Sequence, residues 1–266
     1  PWQNVVFRLG GNYRTLESAS PTFSLDYNTP TGVASEIKQY ETNVSVSYFP
    51  GRKMTGVGVE RRIANDYFAR LFAQVTRGDK NILNSDFDYT KVQLSYTQPW
   101  QMGGFGRLFT TIEAGKTFGE VPLGLLSVIP GNQTYFSIYN TFSQLDFYEF
   151  VSDTYASFHF EHNFNGRLFS RIPFLRKLNL REIISVRGVI GNISDENLAL
   201  SNVPSNPNNL QLVAPSNEPY YEYSLGIGNI FKVFRIDFIF RGNYKDIVIY
   251  PDARKFGVTG SFGFYF

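Results

Sequence analysis

Cysteine is absent from the 266 residues, which excludes a disulfide framework, a zinc ribbon and a thiol nucleophile. Histidine occurs only as His159 and His162, and methionine twice, so little is available for a metal cluster. No run approaches the roughly 20 apolar residues of a membrane-spanning helix. Charge is thin as well: Asp, Glu, Lys and Arg make up 18% of the chain, against a usual level of about 25%. A net charge of +2 at pH 7 provides no basic stripe for nucleic acid. Nor does the chain open on a signal peptide. Pro1 leads straight into a strand-like run, which reads as a mature or trimmed chain.

Aromatic residues are abundant: 26 Phe and 17 Tyr bring their share to 17%. The mean hydropathy is nevertheless −0.20. Many aromatics, few charges and near-neutral hydropathy fit strands with one greasy and one polar face.

Period two dominates the sequence. In Val233–Arg241, Phe234, Ile236, Phe238 and Phe240 fall on one face, with Arg235, Asp237, Ile239 and Arg241 on the other. Val44, Val46 and Tyr48 oppose Asn43, Ser45 and Ser47, and Tyr221, Tyr223 and Leu225 oppose Glu222, Ser224 and Gly226. Near the carboxyl end Val258, Phe262, Phe264 and Phe266 share a face. A soluble sandwich would alternate in the same way. The long series of such strands with aromatic ends favours lipid outside and a wet lumen inside.

The expected fold class is all-β, an antiparallel transmembrane β-barrel with about twelve visible strands of about ten residues each. They lie near 3–13, 40–49, 54–63, 67–77, 87–98, 106–118, 153–164, 180–193, 219–229, 232–244 and 254–266, with a weaker one at 21–28. The exception to the strand pattern is Leu168–Leu178, where Ile172, Leu175 and Leu178 recur at helical spacing; it is expected as a short rim helix or a turn. The carboxyl end of such barrels is periplasmic, so the joint at Ile230–Lys232 and the turns near 64–66 and 100–106 become periplasmic. Residues 194–218 become an extracellular loop. Residues 119–152 form a long outer loop too apolar for open water, and are expected to be ordered and to enter the lumen or cover the barrel mouth. The whole of 1–266 is read as one outer-membrane barrel domain, the carboxyl-terminal part of a longer protein.

Three blocks carry a family resemblance. The first is Gly119-Glu120-Val121-Pro122-Leu123, Pro130-Gly131-Asn132 and Tyr148-Glu149-Phe150-Val151-Ser152-Asp153. The second is Glu161-His162-Asn163-Phe164-Asn165-Gly166, Ile172-Pro173-Phe174-Leu175-Arg176-Lys177-Leu178 and Arg181-Glu182. The third is Pro219-Tyr220-Tyr221-Glu222, Gly226-Ile227-Gly228-Asn229-Ile230-Phe231-Lys232 and Arg235-Ile236-Asp237. From about residue 119 onward, the chain resembles the uncharacterised Bacteroidetes outer-membrane barrels that often follow a carboxypeptidase-regulatory-like domain. More distantly it resembles the surface-antigen superfamily of BamA and TamA barrels. That superfamily has sixteen strands, which implies that four amino-terminal strands lie outside this chain. Its lumen loop carries an Arg-Gly-aromatic tip that 119–152 lacks; the nearest string, Val186-Arg187-Gly188-Val189, sits in an expected strand. The departure argues against insertase activity.

Each candidate site has a plain structural reading. His159 and Glu161 share a strand face, but no further ligand converges on them in sequence, so a lumenal hydrogen bond is preferred to a metal pair. Arg187, Glu222, Arg235, Asp237 and Arg241 are expected to be lumen-facing charges. They would either hold a plug or tune a pore, or simply neutralise one another across neighbouring strands, and the latter is preferred. Gly56, Gly58, Gly226, Gly228, Gly257, Gly260 and Gly263 precede no helix and suit curvature and close packing rather than a phosphate cradle. Glu149 with Asp153, or Glu161 with Asp237, make a carboxylate pair only on paper, without a nucleophile elbow.

The sequence therefore predicts a non-enzymatic barrel of the bacterial outer membrane, without cofactor or metal. It would act in transport, surface export or envelope assembly, beside partners in an outer-membrane protein complex. A passive diffusion pore is the alternative, and a barrel enzyme such as a lipid hydrolase a more remote one. Expected contacts are the lipid bilayer, lipopolysaccharide and, during insertion, the barrel-assembly machinery, with no nucleic acid. Phe234, Ile236, Phe238 and Phe240 would face lipid. Val258, Phe262, Phe264 and Phe266 would form the carboxyl-terminal signal that the assembly machinery reads.

Overall fold

A computed structural model of the chain describes residues 4–18, 24–202, 213–245 and 254–263. Ten strands, all antiparallel, form one sheet in sequence order. They are β1 (Val5–Glu17), β2 (Glu36–Tyr48), β3 (Arg70–Gly78), β4 (Tyr89–Gln101), β5 (Arg107–Phe118), β6 (Thr154–Asn163), β7 (Arg181–Asn192), β8 (Tyr220–Ile230), β9 (Phe234–Arg241) and β10 (Phe256–Phe262). Each pairs with its chain neighbour, the arrangement that connections on alternate ends permit. No ladder joins β10 back to β1 among the described residues, so the sheet is not closed.

Two of the expected strands are absent from this sheet. Residues 54–63 fold into a small hairpin, Met54–Thr55 with Arg62–Ile63, around a single turn of 3-10 helix at Gly58–Glu60. Gly56 (φ 86°) and Gly58 (φ 62°) hold backbone that an extended strand cannot, which is why the alternation there carried no strand. In 21–28, Tyr27–Thr29 turns back on Gly32–Ala34 as a separate short hairpin, and 21–23 lie outside the described residues. The Leu168–Leu178 pattern becomes a 3-10 turn, Phe169–Arg171, followed by one α-helical turn, Pro173–Arg176 (α1), with proline at its start.

Burial separates the faces in an unusual sense. In β9, Arg235, Asp237, Ile239 and Arg241 are buried while Phe234, Ile236 and Phe240 are partly exposed and Phe238 is exposed. In β2, Gln39, Glu41, Ser45 and Ser47 are buried while Val44, Val46 and Tyr48 are exposed. The outer face continues with exposed Leu71, Val75, Leu94, Ile112, Phe160, Ile184, Val186, Tyr223, Leu225 and Val258. The sheet thus buries its polar face and presents its apolar one.

Two clusters form the apolar core. The first caps one end of the sheet: Val121, Leu123, Leu125, Leu126 and Val151 pack with Leu25, Tyr27, Ile37, Tyr89 and Ile193. The second lies on the polar face, where Ile129, Phe142, Leu145 and Phe150 pack against Tyr155, Val189 and Tyr220. Residues of 119–152 supply half of the first and more than half of the second. The segment's apolar content is accounted for by the two clusters it helps to fill.

Candidate functional site

The site is the inner face of β6–β9 together with the segment that lies on it. Alternation brings His159, Arg187, Glu222 and Arg241 to this face on neighbouring strands, in the register His159↔Arg187↔Glu222↔Arg241. Arg235 and Asp237 follow on β9. Arg187, Glu222, Arg235, Asp237 and Arg241 share one face of the sheet, and Phe234, Ile236, Phe238 and Phe240 lie on the opposite, more exposed one.

Pairing across neighbouring strands describes only part of their chemistry. Arg187 does meet Glu222 (3.3 Å), its neighbour in register. Glu222, however, spends its carboxylate on the inserted segment: Oε1 accepts the Ser143 backbone N–H (2.8 Å) and Oε2 that of Gln144 (3.0 Å). Arg187 donates to the carbonyl of Thr141 (3.0 Å) and to the Ser143 hydroxyl (3.1 Å). Among the described residues, the Arg241 side chain makes its ion pair off the sheet. Its guanidinium meets the Glu149 carboxylate, donates to the Gln144 carbonyl (3.0 Å) and lies over the Tyr220 ring. The side chains of Arg241 and Glu149 are 0% and 1% exposed. Three of the five charges therefore clamp residues 141–149, a role the preferred sequence reading did not assign. Nothing in the local pattern announces it, because the partners lie far apart in the chain.

Arg235 serves the sheet instead. It pairs with Asp237 (2.7 Å) on its own strand and with Glu161 (2.7 Å) on β6, and so bridges over β7 and β8. Between them Ser185 and Ser224 share a hydrogen bond of 2.5 Å. Glu161 and Asp237 are thus counter-ions of one arginine. His159 lies 4.9 Å from the Phe142 ring, against the inserted segment. No group of three or more potential metal ligands occurs among the described residues.

Glu149 and Asp153 are likewise separated in role. Asp153 sits below the apolar cap, where its Oδ2 accepts the Ser194 backbone N–H (2.6 Å) and the Asn197 side-chain amide (3.1 Å). Burial alone would push this carboxyl up, but those donors, with the Ser194 and Thr154 hydroxyls, outweigh it and hold the carboxyl below its ordinary value. Asn197 also accepts the Val121 N–H (2.8 Å) and Ser201 that of Leu123 (2.9 Å), so the short helix Asp195–Leu200 (α2) pins the start of the inserted segment.

The segment has one further attachment. Residues 135–137 run parallel to β10 along its free side: the Gly260 N–H donates to the Tyr135 carbonyl and the Ser137 N–H to the Gly260 carbonyl, both at 2.9 Å. Two glycines permit other close approaches of the segment, one within it and one to β10. A Cβ on Gly131 would stand 2.5 Å from the Leu145 carbonyl oxygen, and one on Gly257 would stand 2.4 Å from the Gln144 amide nitrogen. Of the carboxyl-terminal residues, Val258 and Phe262 are exposed on the outer face, whereas Phe264 and Phe266 lie outside the described residues.

On the other side of the segment the inner face of β1–β6 leaves a cavity of about 390 Å3. Arg14, Glu41, Lys91, Gln93, Glu113 and His159 are among its lining. Glu41 holds Arg14 (2.7 Å) and the Tyr89 hydroxyl, and Glu113 holds the Tyr155 hydroxyl (2.5 Å). The lining is mostly polar or charged.

These features define an all-β protein: one antiparallel sheet, polar within and apolar without, with an inserted segment clamped onto its polar face. Residues 3–195 match a family described as the C-terminal domain of a family of unknown function (DUF5686), and the chain belongs to that family. The match begins well before residue 119, where the sequence resemblance was placed, and its end leaves the third block of motifs outside. No curated protein matches the chain.

Proposed function

We propose that the sheet is the greater part of a transmembrane β-barrel of a bacterial outer membrane, and that residues 119–152 are its plug. The observation that carries this reading is the inverted burial. Phe, Leu, Val and Tyr cover the exposed face of nearly every strand, while arginines and carboxylates are buried on the other. In water such a face would be a large apolar patch; in a bilayer it is the lipid surface. Phe234, Ile236, Phe238 and Phe240 then face lipid. Arg187, Glu222, Arg235, Asp237 and Arg241 face the lumen. Val258, Phe262, Phe264 and Phe266 serve as the insertion signal read by the barrel-assembly machinery. The three sequence blocks support placing the chain with the Bacteroidetes outer-membrane barrels.

The barrel works without catalysis, in transport, surface export or envelope assembly, with partner proteins. The clamp formed by Arg187, Glu222, Arg241 and Glu149 supports a gated lumen over an always-open one. The polar cavity beside the plug favours the second reading, a passive pore narrowed but not sealed.

Membrane fractionation and planar-bilayer recording separate these. The full chain is expected in the outer-membrane fraction after alkaline extraction, with little steady conductance. Removal of 130–148 is expected to produce stable open channels. Release of the chain by alkali would sink the membrane reading, and steady wild-type conductance would favour the passive pore.

A further inference from the structure

At the end of the sheet where β6 passes to β7 and β8 to β9, a cavity of about 500 Å3 opens between two connections. Arg176, Arg181, Lys232, Ser170, Asn179 and Asn229 are among its lining. Three cations thus meet around one space, and no carboxylate lines it. Residues 164–182 and 228–233 contain a single acid, Glu182, and that carboxylate accepts the Phe169 backbone N–H. Arg181 donates to Asn165 (2.5 Å). Arg171, Arg176, Lys177 and Lys232 take part in no ion pair among the described residues.

The two connections that border this cavity also carry exposed apolar side chains. Phe174 on α1 is 76% exposed, and Phe231 at the β8–β9 turn is 91% exposed. Ile172 and Leu178, on the same connection as Phe174, are exposed as well. Phe231 also holds a left-handed φ of 49°, with Lys232 at 72°. A bulky side chain in that region is strained, and Phe231 packs little against the described residues in return. The turn keeps a phenyl ring pointing away from the protein next to a lysine that lines the cavity.

We infer that this cavity binds the phosphate-bearing headgroup of an anionic phospholipid, with Arg176, Arg181 and Lys232 around the phosphate and Phe174 and Phe231 against the acyl chains. The inference rests on the membrane reading. Guanidinium groups match phosphate oxygens bidentately, and a basic pocket at membrane level attracts anionic headgroups. Aromatic rings flanking such a pocket belong at the boundary between headgroups and acyl chains. A soluble phosphate would use the cations but gain nothing from the exposed rings. The exposed rings, each next in the chain to a lining residue, favour the lipid.

The test uses the full chain, solubilised in a neutral detergent, and a fluorescent phosphatidylglycerol. Binding is expected to saturate at one lipid per chain and to be at least tenfold tighter than for phosphatidylcholine with the same acyl chains. R176Q/K232Q is expected to weaken it about 30-fold, roughly five-fold for each charge removed. F174S/F231S is expected to weaken the lipid while leaving competition by inorganic phosphate unchanged. Equal binding of the two lipids, or an unchanged affinity in R176Q/K232Q, overturns the proposal. So does inorganic phosphate that binds as tightly as the lipid, which would make this a soluble-anion site. Alkaline extraction of the same variants keeps the two readings apart: a chain that stays in the membrane but shows no lipid selectivity defeats only the headgroup site.

Discussion

Arg241 shows how a single side chain can hold two parts of this molecule together. It is fully buried, and its charge is met by Glu149 and the Gln144 carbonyl. Removing one partner leaves the other charged and enclosed, at a cost of about 3–5 kcal/mol. R241M alone is therefore expected to lower the denaturation midpoint strongly, while R241M/E149L recovers most of the loss, since an apolar pair of similar size leaves no stranded charge. Urea titration followed by heat-modifiable migration reads both variants. Equal losses in the single and double variants would mean that the ion pair itself stabilises the fold more than an apolar pair does, and that the stranded charge is not the source of the loss. Asp153 makes a second prediction, on pH. Its carboxyl is held below 3.8 in the folded protein. Its contribution is therefore fully present above the unfolded value of about 4 and fades as pH falls through the lower, folded value. Hydrogen exchange at the Ser194 amide is expected to quicken in that acid window in the wild type. In D153N the same amide should show no such pH step, and a step that persists would assign the titration to another group.

At the scale of the element, a strand here is read by its faces, and alternation shows them well. Every face assigned in β2, β8 and β9 matches the burial found, because side chains on a strand must alternate whatever the partner. The same rule misled at 54–63, where Val57 and Val59 sit two apart but Gly56 and Gly58 take positive φ. Alternation reports spacing; it does not report whether the backbone is extended. Nor does it report distant partners, so the shared face of the five charges was legible while the grip of Arg187, Glu222 and Arg241 on residues 141–149 was not. The face assignment supports an unequal pair of substitutions on β9. F238R places a charge on the exposed apolar face and is expected to cost about 2–4 kcal/mol if that face lies at mid-bilayer. The expectation reverses in aqueous solution, where an exposed arginine would be nearly neutral. Folding of F238R into lipid vesicles against wild type decides which solvent this face meets.

For the whole molecule, the open side of the sheet is the main feature. β1 offers a 13-residue edge, and its Phe7, Leu9 and Tyr13 are exposed. No other main strand pairs on that side among the described residues. A long unpaired edge recruits further strands or another chain. The isolated 266-residue chain is expected to self-associate in detergent, and a longer protein carrying additional strands before β1 is expected to remain a discrete particle. Light scattering distinguishes the two, and a stable monomer of the isolated chain would argue that this edge needs no cover.

The parallel contact of residues 135–137 with β10 joins positions separated by nearly half of the chain. During synthesis the inserted segment is made long before the strand it leans on. Its seat on the polar face is therefore incomplete until the last hairpin has formed, and this late, non-local contact belongs to the slow end of assembly. The dependence also runs backward in time. Whatever peels β10 from its neighbour withdraws the backbone partners of Tyr135 and Ser137, so disturbance at the rim of the sheet and loosening of what it encloses become a single event.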